Sequence, residues 1–258
     1  MDIKNILVVV SSVGKGGPLK TAIALAKRHG ADLAALHVKP TPVVYGGVGG
    51  EVPVVIIESQ DRETEAAAEA IKAEVETAAR RAGVGIEWRC ETGDEVNVAA
   101  IHARYADLTV ATPDVARDLV FASASPVLAV PVATSAGAPA RALIAWNGSR
   151  EAARAVRDAL PLLKAADSVD IIAVDPPGGT GGMDLARSLG RHGIKVEVRE
   201  RLSGGAEVGG ILLEEVKTSG ADLLVMGAYG HSRVREWVLG GATEDVLELG
   251  TVPALLSH

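Results

Sequence analysis

Apolar residues in this chain fall into short dense runs, separated by stretches in which they recur every three or four positions. Ile6-Leu7-Val8-Val9-Val10, Ala142-Leu143-Ile144-Ala145-Trp146 and Leu223-Leu224-Val225-Met226 are continuously apolar, as strands covered on both faces should be. The stretches 19–29, 150–164 and 242–249 mix apolar and charged residues at helical spacing. Strands alternating with helices imply right-handed crossovers and a parallel sheet.

The pattern occurs twice. Each half opens with an apolar strand, a turn and a helix, and later landmarks recur in the same order. Gly93-Asp94-Glu95-Val96 answers to Gly205-Ala206-Glu207-Val208, and Ala106-Asp107-Leu108 to Ala221-Asp222-Leu223. Pro126-Val127-Leu128-Ala129-Val130 and Val252-Pro253-Ala254-Leu255-Leu256 close the two copies. Between them, residues 131–140 are rich in Pro, Ala, Ser and Gly, the composition of a linker. The expected organisation is a domain over 1–134 and a second over 140–258. The fold class is α/β, two tandem doubly wound parallel five-stranded sheets. Their final strands, 126–130 and 252–256, are expected to meet and make an internal pseudo-dimer, because each has an edge to be paired or covered.

Two details belong to the first copy. A helix is predicted over 61–82, with Ala68, Ile71, Val75, Ala78 and Ala82 on its buried face and Glu63, Glu65, Glu69 and Glu76 on a solvated one. Ahead of it, 39–60 reads as a long Gly/Pro/Val-rich connection: a lid, a subunit contact or a disordered excursion. After the helix, Val84, Ile86, Trp88 and Cys90 alternate with polar or small residues, which puts all four on one strand face and Cys90 in the core.

Composition narrows the function. Lys and Arg number 26 against 33 Asp and Glu, a net charge of −7, with no long basic run, which argues against a nucleic-acid partner. Every apolar run is far shorter than the roughly 20 residues that span a bilayer, so no membrane partner is expected. Met1-Asp2-Ile3-Lys4 leads directly into a strand, and a soluble, cytoplasmic protein is the expectation. The single cysteine excludes an intrachain disulfide and a multi-cysteine metal site, and the histidines lack metal-ligand spacing. No Ser/His/Asp set, carboxylate pair or Walker motif can be assembled, so no catalytic residue is assigned.

In open parallel sheets the ligand crevice lies beyond the carboxyl ends of the strands, where the winding reverses. In the second copy the apolar run ending at Met226 leads into Gly227-Ala228-Tyr229-Gly230-His231-Ser232, and Gly240-Gly241 opens the next helix. Glycines let backbone N–H groups approach a ligand, and a helix N-terminus attracts anions, so the arrangement suits phosphate. A turn followed by a tight helix start accounts for the same residues. His231 reads either as a phosphate donor or as an exposed loop histidine. Trp146 and Tyr229 read as flanking a base or as packing.

The spacing of Gly227, Gly230 and Gly240, with the lead-in Ala221-Asp222-Leu223-Leu224-Val225-Met226 and the duplicated five-strand pattern, resembles the universal stress protein family in its tandem form. That resemblance implies an adenine nucleotide alpha hydrolase-like sheet ordered 3-2-1-4-5 and, where the signature is kept, ATP binding, with Mg as its companion ion. Carried over by position, Gly227 and Gly230 present backbone to ribose and phosphates, and Gly240 and Gly241 hold phosphate oxygens. Met226 borders the nucleoside and Val174 lies near the adenine. Two positions depart from the pattern. Gly241 stands where the family has Ser or Thr, with Thr243 nearby to replace the hydroxyl, and Asn147 stands where ATP-binding relatives have Asp.

The first copy lacks the signature. It continues Ala111-Thr112-Pro113-Asp114 after its fourth strand, and its loop 11–18 reads as a turn with Pro18 in the first helical turn. The resemblance implies a nucleotide-binding regulatory module in a stress response, with an adenine nucleotide and a second copy, as homodimer, for partners. Two alternatives remain: a dimerising interaction protein that binds no nucleotide, and a slow ATPase.

Overall fold

The computed structural model describes residues 2–12, 16–41, 54–135, 137–176, 181–229 and 241–258. The first half contains β1 (Asn5–Val9), α1 (Gly16–His29), β2 (Asp32–Lys39), α2 (Val54–Ala82), β3 (Glu87–Thr92), α3 (Glu95–Ala103), β4 (Leu108–Ala111), α4 (Pro113–Ala122) and β5 (Val127–Ala129). The second contains β6 (Arg141–Ala145), α5 (Arg150–Lys164), β7 (Ser168–Val174), α6 (Met183–Arg191), β8 (Val196–Arg201), α7 (Val208–Ser219), β9 (Leu223–Gly227), α8 (Ala242–Leu249) and β10 (Ala254–Ser257).

Each half follows the order 3-2-1-4-5, and the two join into a single ten-stranded sheet, β3-β2-β1-β4-β5-β10-β9-β6-β7-β8. The fifth strands do meet, antiparallel, with Ala254 opposite Ala129, Leu255 opposite Leu128 and Leu256 opposite Val127. The two sheets expected from the repeat are therefore continuous, because pairing satisfies the backbone groups that both short edges would otherwise leave open. The other neighbours are parallel.

Helices cover both faces. One cluster joins Ile6, Val8 and Ile144 to Leu19 of α1, Val75 of α2, Ala155 of α5 and Leu185 of α6. The other joins Leu7, Leu143 and Met226 to Ala99 of α3, Leu119 of α4, Leu212 of α7 and Val246 of α8. Successive residues of one strand thus enter opposite cores, which is why the strands read as unbroken apolar runs.

Two expectations need correcting. Helix α2 starts at Val54 rather than at 61, so the end of the 39–60 connection is helical, while 42–53 lie outside the described residues. Its Ala68, Ile71 and Val75 are buried as expected. Cys90 is exposed. The alternation holds for Val84, Ile86 and Trp88, which pack on the core, and Cys90, nearer the carboxyl end of this outermost strand, lies beyond that core.

Candidate functional site

In the second half the winding reverses between β6 and β9, which lie side by side with Ile144 opposite Val225. Their carboxyl ends form the candidate crevice. After β6 the chain turns at Gly148, whose φ of 72° is left-handed and suits a residue without Cβ. Asn147 Oδ1 accepts a 3.0 Å hydrogen bond from the Ser149 amide. Ser149 then caps α5, its Oγ accepting from the Ala152 amide at 3.1 Å. This places α5's positive end beside the end of β9.

Gly227 closes β9 against that helix start. A Cβ added to it would stand 2.5 Å from the Glu151 carbonyl carbon and 2.8 Å from Glu151 Cβ, with the Ala152 amide nitrogen nearer still. Its missing side chain is thus accounted for by the packing of α5. Two residues later Tyr229 adopts a left-handed φ of 52°. Its amide donates to Thr243 Oγ1 at 3.4 Å, its hydroxyl donates to Glu244, and its ring packs on Phe121 of α4 at 4.5 Å between centroids. Glu244 also pairs with Arg117 of α4 at 2.9 Å. Burial, and then the Glu244 carboxylate, push the Tyr229 phenol above its ordinary range.

Helix α8 starts at Ala242 behind Gly241, which gives no side-chain cap. Gly241 is exposed, and a Cβ there would meet nothing within 4 Å. Glu244 and Asp245 in the first turn favour the helix dipole.

The structure therefore brings Asn147, Val174, Met226, Gly227, Gly241 and Thr243 to one edge of the sheet. They differ in access. Asn147 and Gly241 are exposed, Val174 is half-buried, and Met226 and Thr243 are buried, Met226 within the core. Gly230, His231 and Gly240 lie outside the described residues. Trp146 and Tyr229 both pack against the cores. In the first half, Thr112, Pro113 and Asp114 open α4 and border a cleft of about 700 Å³ whose far wall is Glu244 and Glu248 of α8.

The Arg117–Glu244–Tyr229 chain, which ties the first half to the loop after β9, was not anticipated. Residues this far apart in sequence carry no spacing signal; only the expected meeting of the fifth strands points to α4 and α8 as neighbours. Among the described residues no group of three or more His, Cys, Asp or Glu could hold a metal ion. Among them, too, no helix is long and apolar enough to cross a membrane.

The family model described as "Universal stress protein family" matches residues 2–112 and 184–258. A universal stress protein of Synechocystis is 43% identical over 67 residues, which cover 26% of this chain and 22% of that protein. The match thus spans about a fifth of the relative's length. Among solved structures, a universal stress protein of Archaeoglobus fulgidus superposes with a TM-score of 0.79 at 19% identity, covering 99% of this chain and 96% of that one. A functionally unknown protein of Pseudomonas aeruginosa gives 0.59 at 15% identity, covering 99% and 92%. At these identities the structures show the fold. With the family model matching well over half of the chain, and both halves of it, this protein belongs to the universal stress protein family.

Proposed function

We propose that the chain is a tandem nucleotide-binding module of two domains, 1–134 and 140–258, with ATP held by the second. The carrying observation is the start of α8: a helix N-terminus with no side-chain cap behind the exposed Gly241, tied to the end of β9 through Thr243 and the Tyr229 amide, on the edge where the carboxyl ends of β6 and β9 adjoin. A helix start of this kind offers backbone N–H groups and partial positive charge to phosphate. In this reading Gly240, Gly241 and Gly230 face the phosphates and Asn147 and Val174 the nucleoside end. Mg would balance the phosphate charge. Thr243 supports the loop by accepting from the Tyr229 amide, and its hydroxyl keeps a donor with which to replace the one that Gly241 lacks. No side chain is assigned to activating a water, and the role is binding and regulation in a stress response.

A second reading has an observation in its favour. The packing of α5 accounts for Gly227 without any ligand, so part of the glycine signature suits a purely structural interaction module.

Calorimetric titration with Mg-ATP separates the two. The proposal expects saturable binding that Gly230→Val weakens at least tenfold while circular dichroism stays unchanged, a loss of about 1.4 kcal/mol. No heat at millimolar nucleotide, and none released from denatured protein, would leave the interaction module standing.

A further inference from the structure

The two copies keep one arginine at the same place in the fold and treat it differently. Arg89 lies opposite Leu36, which lies opposite Val9. Arg199 lies opposite Ile172, which lies opposite Ala145. In the second half two neighbouring elements supply carboxylates to Arg199: Asp170 of β7 at 3.1 Å and the buried Glu215 of α7 at 2.9 Å. In the first half neither carboxylate exists. The register puts Ala34 where Asp170 stands, since Leu7 faces Ala34 as Leu143 faces Asp170.

The helices align through a side-chain contact to the neighbouring strand. Arg201 meets Glu214 at 2.7 Å, and the corresponding contact in the first half is between Glu91 and His102 Nε2 at 2.7 Å. With His102 in the place of Glu214, Ala103 takes the place of Glu215. Two of the three carboxylates around the second arginine are thus alanines in the first half, while the third, Glu197, has its counterpart in Glu87.

A cleft of about 450 Å³ opens there, bordered by Ala34, Arg89, His102 and the exposed Tyr105, at the amino ends of β1, β2 and β3. Arg89 keeps Glu87, through Nε at 2.9 Å and Nη2 at 3.0 Å, and reaches His102 Nδ1 from Nη1 at 3.1 Å. These contacts use three of a guanidinium's five N–H donors, where Arg199 engages Asp170, Glu197 and Glu215. The space has the size of a small-molecule pocket.

We propose that this cleft binds a small monocarboxylate, whose oxygens sit beside Arg89 where Asp170 sits beside Arg199. Arginine matches a carboxylate's planar pair of acceptors, and Ala34, which stands where Asp170 stands in the other half, lines the cleft beside Arg89. One negative charge rather than two is favoured, because Asp32 and Glu87 also border the space.

The test is an NMR titration of the full chain with acetate against chloride at constant ionic strength, following the His102 imidazole assigned by His102→Gln. The expected result is a saturable shift with millimolar midpoint. Arg89→Gln weakens it at least tenfold, and Ala34→Asp abolishes it by supplying the carboxylate internally. Should Ala34→Asp fail to fold, Arg89→Gln decides alone. A shift that never saturates, one that survives Arg89→Gln, or an equal response to phosphate overturns the inference. Mg-ATP binding, assigned to the other half and to the carboxyl ends of its strands, is expected unchanged in both variants, so the two readings fail separately.

Discussion

Replacing Gly227 by alanine should destabilise the protein even though the substitution is minimal and lies at the end of a strand. At an unobstructed site Gly→Ala stabilises by about 0.4–1 kcal/mol, by restricting the unfolded chain. Here the new methyl would stand 2.5 Å from the Glu151 carbonyl carbon and 2.8 Å from Glu151 Cβ, against about 3.5–4.0 Å for an ordinary carbon contact. The start of α5 would have to retreat by about 1 Å. Backbone and Cβ cannot swing aside as the tip of a long side chain can, and Ser149 anchors that helix start through its cap. Overpacking of this kind costs about 1–3 kcal/mol or somewhat more, which outweighs the entropic gain.

At roughly 2–4 °C per kcal/mol for a chain of this size, thermal unfolding followed by circular dichroism should move down by about 4–10 °C. Gly210→Ala is the control. It lies exposed inside α7 with nothing within 4 Å of an added Cβ, and should move the midpoint up by about 0.5–1 kcal/mol's worth. A Gly227→Ala protein as stable as the parent would refute the packing account and return Gly227 to a role set by ligand alone.

Two further outcomes follow from contacts at and beside the junction of the halves. Tyr229→Phe removes the donor to Glu244 and should cost about 1–2 kcal/mol. Because the folded phenol titrates above its ordinary range, its stabilising contribution is complete below the unfolded value of about 10 and is lost as pH rises beyond it. Urea unfolding at pH 8 and pH 11 should therefore show the parent's advantage over the variant shrinking at the higher pH; a constant difference would disprove the coupling. Leu255→Asp puts a carboxylate against Leu128, both residues being fully buried at the seam, and should cost more than about 3 kcal/mol. An unchanged urea midpoint would mean that the β5–β10 pairing contributes nothing to the fold.

Much of this architecture is visible in the chain itself, for a physical reason. A parallel sheet with helices on both faces needs unbroken apolar strands, and the runs beginning at Ile6, Ala142 and Leu223 are strands within a residue of where the pattern puts them. Helices α5 and α8 occupy 150–164 and 242–249 as read; ahead of α5 the turn Asn147-Gly148-Ser149 stops helix from extending backward, and ahead of α8 the extended backbone of Gly241 does so. The start of α2 was not legible. Val54-Val55-Ile56-Ile57 is a β-branched run that local propensity assigns to strand or loop, and helix forms there nonetheless. Cys90 misled for a related reason: alternation says which residues share a face, whereas depth depends on how far the packed core extends along an edge strand, and on β3 it reaches Trp88 but not Cys90.

The candidate site divides along the same line. Which glycines end strands and open helices can be read from spacing, and Gly227 and Gly241 stand at those positions. What each glycine is for cannot, because the answer lies in a neighbour distant in sequence. Gly227 faces the backbone of α5, while Gly241 faces open space. Of the two, only Gly241 therefore leaves its missing side chain to be explained by something other than the fold. The duplicated chain offers its own control for such reasoning. Wherever the strand registers coincide, one copy shows what the other lacks, and Ala34 beside Arg89 acquires meaning only against Asp170 beside Arg199. In the second half the arginine's partners are built into the chain. In the first half Arg89 keeps Glu87 and His102 and faces a cleft on the side of Ala34, and an arginine without the carboxylate that its counterpart has on that side is where a small ligand has most to add.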